Sequence, residues 1–220
     1  MSMLSELVNL LTPYVKDAAP VAKLEIRQFA KEQNLLLRDD HLQFLMNFAS
    51  ELGGRLDIFK SYGGDFDFGM LKRVYLDKRF PVELPSGCTY FGSSFVGNSF
   101  CIDYESGKIF ANDEGQRYGL LHEGIDGFLL RCLVSAYNEE AFSNKVVRQD
   151  LELKDINEFQ LINEKNKIDG ATAFEGRYQN IDTPKTLVEY YFVDRQLIYL
   201  FLPTRSMVML SGGVLENLKS

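Results

Sequence analysis

The chain has 220 residues, of which 45% are hydrophobic and 25% are charged, and its formal net charge at pH 7 is −7. This balance is typical of a globular protein with one large domain, or one domain and an extension. The acidic balance and the absence of a run of Lys and Arg argue against nucleic-acid binding, because affinity for phosphate comes largely from clustered basic side chains. An acidic surface is complementary to a basic protein partner, although many proteins are acidic for solubility alone.

The N-terminal segment, residues 1–15, lacks the basic n-region of a signal peptide and carries Glu6 inside its apolar stretch. The chain contains no run of about 18 apolar residues, so we expect no membrane span. Its three cysteines are widely spaced, and Cys101 and Cys132 fall at apolar positions of a strand pattern and a helix pattern. Because this spacing predicts no disulfide framework, we expect a reducing compartment and a cytoplasmic location.

The first third of the chain is mainly helical in pattern. Helical signals cover residues 3–15 and residues 20–33. A third helix begins at Asp39 or Asp40, either of which can cap it, and ends at the glycine pair 53–54. These segments predict three helices before residue 55.

The middle of the chain changes to strand patterns. Residues 56–59 are typical of a short strand, whereas residues 70–76 fit a helix or a strand. Residues 100–104 and 108–111 alternate between apolar and polar side chains, and Gly107 between them can adopt a positive φ. This segment predicts a β-hairpin with acidic residues at its turn and its exit.

The rest of the chain predicts one clear helix and one clear hairpin. Residues 124–138 place apolar side chains at helical spacing, and the polar residues 138–149 are expected to be helical. Residues 151–185 give weak strand signals, and residues 187–193 and 196–202 form a hairpin pattern that is apolar on both faces.

Together the patterns predict an α+β fold, with a mixed, mainly antiparallel sheet and helices packed on one face. We expect an α+β domain at residues 1–150 and a β-rich extension at residues 151–220, packed on the same core.

No metal or cofactor site is predicted. Structural zinc sites bring paired ligands two to four residues apart, and the cysteines and His122 do not have that spacing. Asp65 and Asp67 begin like a calcium loop, but Leu76 stands where the bidentate Glu of such a loop belongs. Gly92 and Gly97 have the outer spacing of a phosphate loop without its lysine, so we expect no nucleotide. The chain has only two histidines and no G-x-S-x-G motif or other nucleophile context, so we expect no catalytic centre.

Acidic side chains gather around the predicted hairpin and the helix that follows it. Helix capping and solvated turns account for such residues in most proteins, and a negatively charged binding face is the functional alternative. The candidate partner-binding residues are Asp65, Asp67, Asp103, Glu105, Asp113 and Glu114.

Three segments carry a resemblance to the SUKH superfamily, which includes a fungal cell-wall-synthesis regulator and many bacterial immunity proteins. They are residues 26–54, with a Phe-Leu-containing helix and a glycine pair, residues 91–115, with the hairpin, and the helix bearing Phe128-Leu129. The chain has Leu37-Arg38 where the family usually has Leu-Pro, and it has no Trp.

The resemblance implies a non-catalytic protein that binds a bacterial toxin, in some members a nuclease, and neutralises it by steric and electrostatic blockade. The alternative is a regulatory module that binds a small molecule or peptide at the rim between Gly53-Gly54 and the loop from Gly92 to Gly97. An enzyme using His122 or the carboxylates is a third hypothesis, which needs two such groups within hydrogen-bonding distance in a pocket.

Overall fold

The computed structural model describes residues 2–49, 55–62, 64–79, 81–94, 99–172 and 186–218. The predicted α+β class is confirmed: the described residues form six α-helices and two sheets in which every strand pair is antiparallel. The helices are α1 (Met3–Leu11), α2 (Lys23–Glu32), α3 (Asp39–Asn47), α4 (Phe68–Leu76), α5 (Ile125–Tyr137) and α6 (Leu153–Ile162). The strands are β1 (Cys88–Ser93), β2 (Ser99–Asp103), β3 (Ile109–Asp113), β4 (Gln116–His122), β5 (Asn144–Arg148), β6 (Lys167–Thr172), β7 (Thr186–Val193), β8 (Gln196–Phe201) and β9 (Ser206–Ser211).

The chain forms two compact units. One is continuous and covers residues 15–125, and the other joins residues 1–14 to residues 126–220. The predicted division at residue 150 stays a prediction. In the two contact units the N-terminal helix α1 groups with the C-terminal part of the chain.

The 15–125 unit contains a four-stranded sheet in the order β1-β2-β3-β4. Its core is rich in aromatic side chains: the Phe66 ring lies 5.1 Å from the Phe59 ring and 5.6 Å from the Phe91 ring, measured between centroids. A Cβ added to Gly92 would lie 2.1 Å from a Phe66 ring atom. Gly92 therefore allows a phenylalanine to pack against the backbone of β1.

The other unit contains a five-stranded sheet in the order β5-β9-β8-β7-β6. The predicted β7–β8 hairpin is confirmed, and its turn residues Asp194 and Arg195 both have positive φ, of 48° and 60°. One face of this sheet carries α6, whose Phe159 ring meets the Tyr191 ring edge-on at 5.1 Å.

Three predictions about local structure are wrong. Residues 57–62 form a 3₁₀ helix where a strand was expected, and residues 144–148 form a strand where a helix was expected. The segment with weak strand signals begins with α6. Helix α3 is preceded by Arg38, which makes no side-chain capping bond, and in the first turn the Asp40 side chain accepts from the His41 backbone N–H at 2.9 Å, as expected of one of the two aspartates. The glycine pair 53–54 lies outside the described residues.

Both histidines are fully buried. None of the helices among the described residues combines the length and the apolar character that a membrane span requires.

Candidate functional site

The turn between β2 and β3 holds two of the candidate residues, Asp103 and Glu105. Asp103 is buried, and its Oδ1 accepts hydrogen bonds from the Ser106 backbone N–H at 2.8 Å and the Ser106 hydroxyl at 2.6 Å. These two bonds, together with the Arg117 guanidinium, keep the pKa of the Asp103 carboxyl below its ordinary range. The carboxylate of Asp103 therefore stabilises the turn, while the Glu105 side chain is exposed.

Arg38 holds the same turn from outside the sheet. Its guanidinium donates to the backbone oxygens of Tyr104 at 2.7 Å and Glu105 at 3.1 Å, and to both carboxylate oxygens of Asp40. Gly107 has φ of +75°, and a Cβ there would lie 2.8 Å from an Arg38 nitrogen. The glycine of the predicted turn therefore leaves space for the Arg38 guanidinium, which binds the turn. Sequence reasoning did not find this role of Arg38.

Asp65 and Asp67 lie before α4. Asp67 is buried and caps the helix, since its Oδ1 accepts from the Met70 backbone N–H at 2.8 Å. Burial raises the pKa of the Asp67 carboxyl, and the capping bond opposes that rise. Asp65 is half-buried and pairs with Arg55 at 3.3 Å. Both carboxylates therefore have local partners, and their predicted binding role stays a prediction.

Asp113 and Glu114 lie at the turn that joins β3 to β4, and both are exposed. The two central residues of this turn, Glu114 and Gly115, have φ of 46° and 78°, as in the primed turns that match strand twist. The side chain of Glu83 approaches from the loop before β1, because a Cβ added to Gly115 would lie 3.8 Å from a Glu83 carboxylate oxygen. Three carboxylates are thus brought to one end of the sheet.

These carboxylates border an open cavity of about 570 Å³, which we call the acidic groove. It is lined by residues 81–83, Ser99, Asn112, Asp113 and Glu114, and none of these described lining residues is Lys or Arg. A concave site lined by one sign of charge concentrates ions of the opposite sign. The acidic groove therefore favours a cationic group.

Asn112 is the one buried residue among those described that line the acidic groove, with 8% of its surface exposed. Its Nδ2 donates to the backbone oxygen of Glu83 at 2.6 Å and to the Ser99 hydroxyl at 2.9 Å. Because a backbone oxygen can only accept, these bonds fix which end of the amide is the nitrogen. The Asn112 Oδ1 is buried and has no hydrogen-bond partner among the described residues.

Sequence reasoning found Asp113 and Glu114 but missed Glu83 and Asn112. Asn112 is a polar residue directly after the apolar run 109–111 of β3, and that signal could have identified it. The approach of Glu83 depends on the path of the preceding loop, which no local pattern encodes.

A metal site and the alternative small-molecule or peptide site are the other candidates. No group of three or more His, Cys, Asp or Glu side chains in the described part of the chain is placed to hold a metal ion. The alternative hypothesis places a small-molecule or peptide site at a rim that includes the glycine pair 53–54 and Gly97. These glycines lie outside the described residues.

Comparison of the chain with family models, with curated proteins and with solved structures finds no match. The resemblance to the SUKH superfamily therefore stays a prediction.

Proposed function

We propose that this chain is a non-catalytic protein-binding module whose acidic groove docks on a basic face of its partner. The observation that supports the proposal is the meeting of Glu83, Asp113 and Glu114 at a concavity of about 570 Å³ with no described basic side chain in its lining. Exposed carboxylates beside a concavity steer a basic partner and favour one orientation of it.

The class of partner follows from the sequence resemblance. We propose an immunity protein that neutralises a cognate bacterial toxin, in which blockade is steric and electrostatic. If the toxin is a nuclease, the carboxylates of the acidic groove would bind its basic substrate-binding face. They would then compete there with the phosphates of the nucleic-acid substrate. The net charge of −7 agrees with this mechanism.

The test is co-expression of the full chain with the product of the neighbouring gene, followed by growth measurement and calorimetry of the purified complex. The triple variant Glu83→Gln, Asp113→Asn, Glu114→Gln should weaken the complex about tenfold or more at low salt and lose the rescue of growth. Wild-type affinity should fall as NaCl rises from about 50 to 500 mM, because rim charges are screened.

The matched control changes three exposed carboxylates elsewhere, namely Glu152→Gln, Asp155→Asn and Glu158→Gln, and thus alters net charge equally. This control should bind as the wild type does. A complex that is insensitive both to salt and to the acidic-groove triple variant would contradict the electrostatic mechanism.

The same assay separates a binding role of Asp103 from its structural role in the turn. Asp103→Asn should lower stability by about 1–2 kcal/mol, because a turn acceptor and the partner of Arg117 are weakened. If it weakens the complex at a temperature where the fold is intact, Asp103 is a binding residue as the sequence predicted.

A further inference from the structure

Two of the three cysteines lie side by side in the 15–125 unit. Cys88 is the first residue of β1, and Cys101 lies in the neighbouring strand β2. Cys88 stands opposite Asp103, two residues from Cys101 along β2, so the two cysteines are diagonal neighbours on one face of the sheet. Their side chains meet, since the two thiols share a hydrogen bond. We call Cys88 and Cys101 the thiol pair.

An arginine on the same face reaches the thiol pair. The Arg117 guanidinium of β4 lies over the Phe110 ring, 4.9 Å from its centroid. It donates hydrogen bonds to the Asp103 carboxylate and to the Cys88 sulfur. Arg117 is exposed and Cys88 is half-buried, whereas Cys101 is fully buried. Reactive cysteines are found in electropositive, partly exposed positions of this kind, so a small oxidant reaches Cys88 first.

The arrangement fits oxidation better than metal binding. Among the described residues, no group of three or more His, Cys, Asp or Glu side chains is placed to hold a metal ion, so the thiol pair lacks the further ligands of a zinc site. Two thiols in contact need no further ligand to form a disulfide. In reducing compartments such disulfides are usually transient and respond to oxidants.

We propose that the thiol pair is a modification site at which a hydroperoxide converts Cys88 and Cys101 reversibly into an intramolecular disulfide. In the first step the Cys88 sulfur attacks one peroxide oxygen, the O–O bond breaks, and Cys88 becomes a sulfenic acid while an alcohol or water leaves. In the second step the Cys101 sulfur attacks the Cys88 sulfur, the S–O bond breaks, and the hydroxyl leaves as water with the Cys101 proton. The two sulfurs together lose two electrons, which the peroxide O–O bond receives.

The surroundings of the thiol pair favour the first step over the second. Arg117 can donate to the peroxide oxygen on which negative charge develops as the O–O bond breaks. Burial raises the pKa of the Cys101 thiol, and the neighbouring Cys88 adds to the rise, so Cys101 resists losing its proton in the second step. We therefore expect the sulfenic acid to form first and the disulfide to follow more slowly.

Closure of the disulfide needs a small movement of β1, because diagonal neighbours are farther apart than most disulfides span. The position of Cys88 permits that movement, since β1 is an edge strand and Cys88 is its first residue. A Cβ added to Gly87, the residue before it, would meet no atom within 4 Å outside its chain neighbours. The end of the strand therefore has room to move toward β2.

The experiment treats the reduced full chain with hydrogen peroxide and follows it by mass spectrometry. Residues 80–108 form one tryptic peptide that carries both members of the thiol pair and excludes Cys132. In the wild type this peptide should lose the mass of two hydrogen atoms and resist alkylation by iodoacetamide, and dithiothreitol should reverse both changes. Dimedone, which traps sulfenic acids, should label Cys88 at early times. The wild-type peptide decides the result even if a variant does not fold.

Variants separate the roles of the side chains. Cys88→Ser should abolish the reaction, and Cys101→Ser should leave a sulfenic acid on Cys88 that dimedone continues to trap. Arg117→Gln should slow the first step about tenfold, and Arg117→Lys, which keeps a cationic donor, should restore most of the rate. Cys132→Ala, which removes a fully buried cysteine of α5, is the control and should react as the wild type does.

Three results would overturn the assignment: a wild-type peptide that stays reduced, one that ends as a sulfinic or sulfonic acid, or one that links only to a second molecule. Loss of the reaction in Cys132→Ala would contradict it as well, because the disulfide would then involve another cysteine. The partner complex of the proposed function does not enter this experiment, so either proposal can fail while the other stands.

Discussion

His41 lies in the first turn of α3 with its ring fully buried, 5.6 Å from the Phe91 ring between centroids. Neither ring nitrogen has a hydrogen-bond partner among the described residues. Burial lowers the pKa of His41 to about 4, Asp40 opposes the shift, and Arg38 adds to it. The histidine is therefore a neutral core residue that must take up a proton when the chain unfolds in acid.

The pH dependence follows from that pKa. Above pH 6.5 the ring is neutral in both states, so His41 does not affect the pH dependence there. Between pH 6.5 and about 4 only the unfolded chain binds the proton. As the pH is lowered through this range, protonation of His41 in the unfolded chain should decrease the free energy of unfolding by about 3 kcal/mol. Below pH 4 both states are protonated and the loss stops growing.

His41→Leu should remove this dependence and cost little at pH 7, because it replaces an unpaired polar ring by an apolar side chain of similar size. Urea unfolding of the wild type and the variant at pH 7, 5 and 4 measures the difference, and comparison of the two chains cancels the titration of the carboxylates. If the two chains lose stability in parallel, the ring is not the group that takes up the proton.

Among the secondary-structure elements, α6 depends on a polar cluster as well as on its apolar contacts. Glu189 of β7 is buried and accepts from Gln160 of α6 at 2.7 Å, from Lys167 of β6 at 2.5 Å and from the Tyr191 hydroxyl at 2.7 Å. Burial opposes ionisation of Glu189, but these three bonds outweigh it and hold the pKa of the carboxyl below its ordinary range. The cluster joins a helix and two strands through one carboxylate.

Glu189→Gln should destabilise the protein by about 2 kcal/mol, since an amide cannot accept all three bonds and places a donor against another donor. Because the folded pKa of Glu189 is depressed, its contribution is present at neutral pH and is lost in acid. Hydrogen exchange should show faster exchange in α6 than in the wild type. Glu158→Gln, on an exposed position of the same helix, is the control and should leave exchange in α6 unchanged.

The elements that could be predicted are those whose burial follows a clear period. Helix α5 was expected at residues 124–138 and lies at Ile125–Tyr137, because its apolar side chains repeat with helical spacing and are buried. Strand β5 was missed because it is an edge strand with both faces exposed, so it shows no alternation. Helix α6 was missed because Leu161 and Ile162 are 76% and 65% exposed and obscure the apolar stripe.

The same reasoning explains which parts of the candidate site could be found. Asp113 and Glu114 belong to a short turn whose chemistry is local, so the sequence places them together. The guanidinium of Arg38 and the carboxylate of Glu83 reach their turns across the fold, and such contacts depend on packing. Local pattern therefore located the acidic turn but not the groove beside it.

At the scale of the whole molecule, the first helix contributes to the core formed by the end of the chain. Leu7 and Leu11 of α1 are fully buried, and α1 contacts β6 and the 3₁₀ segment Gly213–Asn217. The Ser5 hydroxyl also donates to the Asp126 carboxylate. The unit that joins residues 1–14 to 126–220 is therefore closed by contacts between distant parts of the sequence.

This arrangement predicts which strands should show faster hydrogen exchange when the packing of α1 is weakened. Leu7→Ala removes a fully buried side chain and should cost about 2–5 kcal/mol, the range for a leucine truncated in a packed core. Because α1 packs in the discontinuous unit, hydrogen exchange should rise more at Leu197, Ile198 and their neighbours in β8 than in β2 of the 15–125 unit.

Leu24→Ala is the matched control, since Leu24 is 78% exposed on α2 and its truncation should change neither stability nor exchange. An equal rise of exchange in β2 and β8 after Leu7→Ala would show that the two sheets unfold as one cooperative unit. A rise confined to β8 would instead mean that residues 15–125, which carry the acidic groove, keep their structure when the other unit opens. In that case the Leu7→Ala variant should bind the partner as the wild type does, and calorimetry of the complex measures this directly.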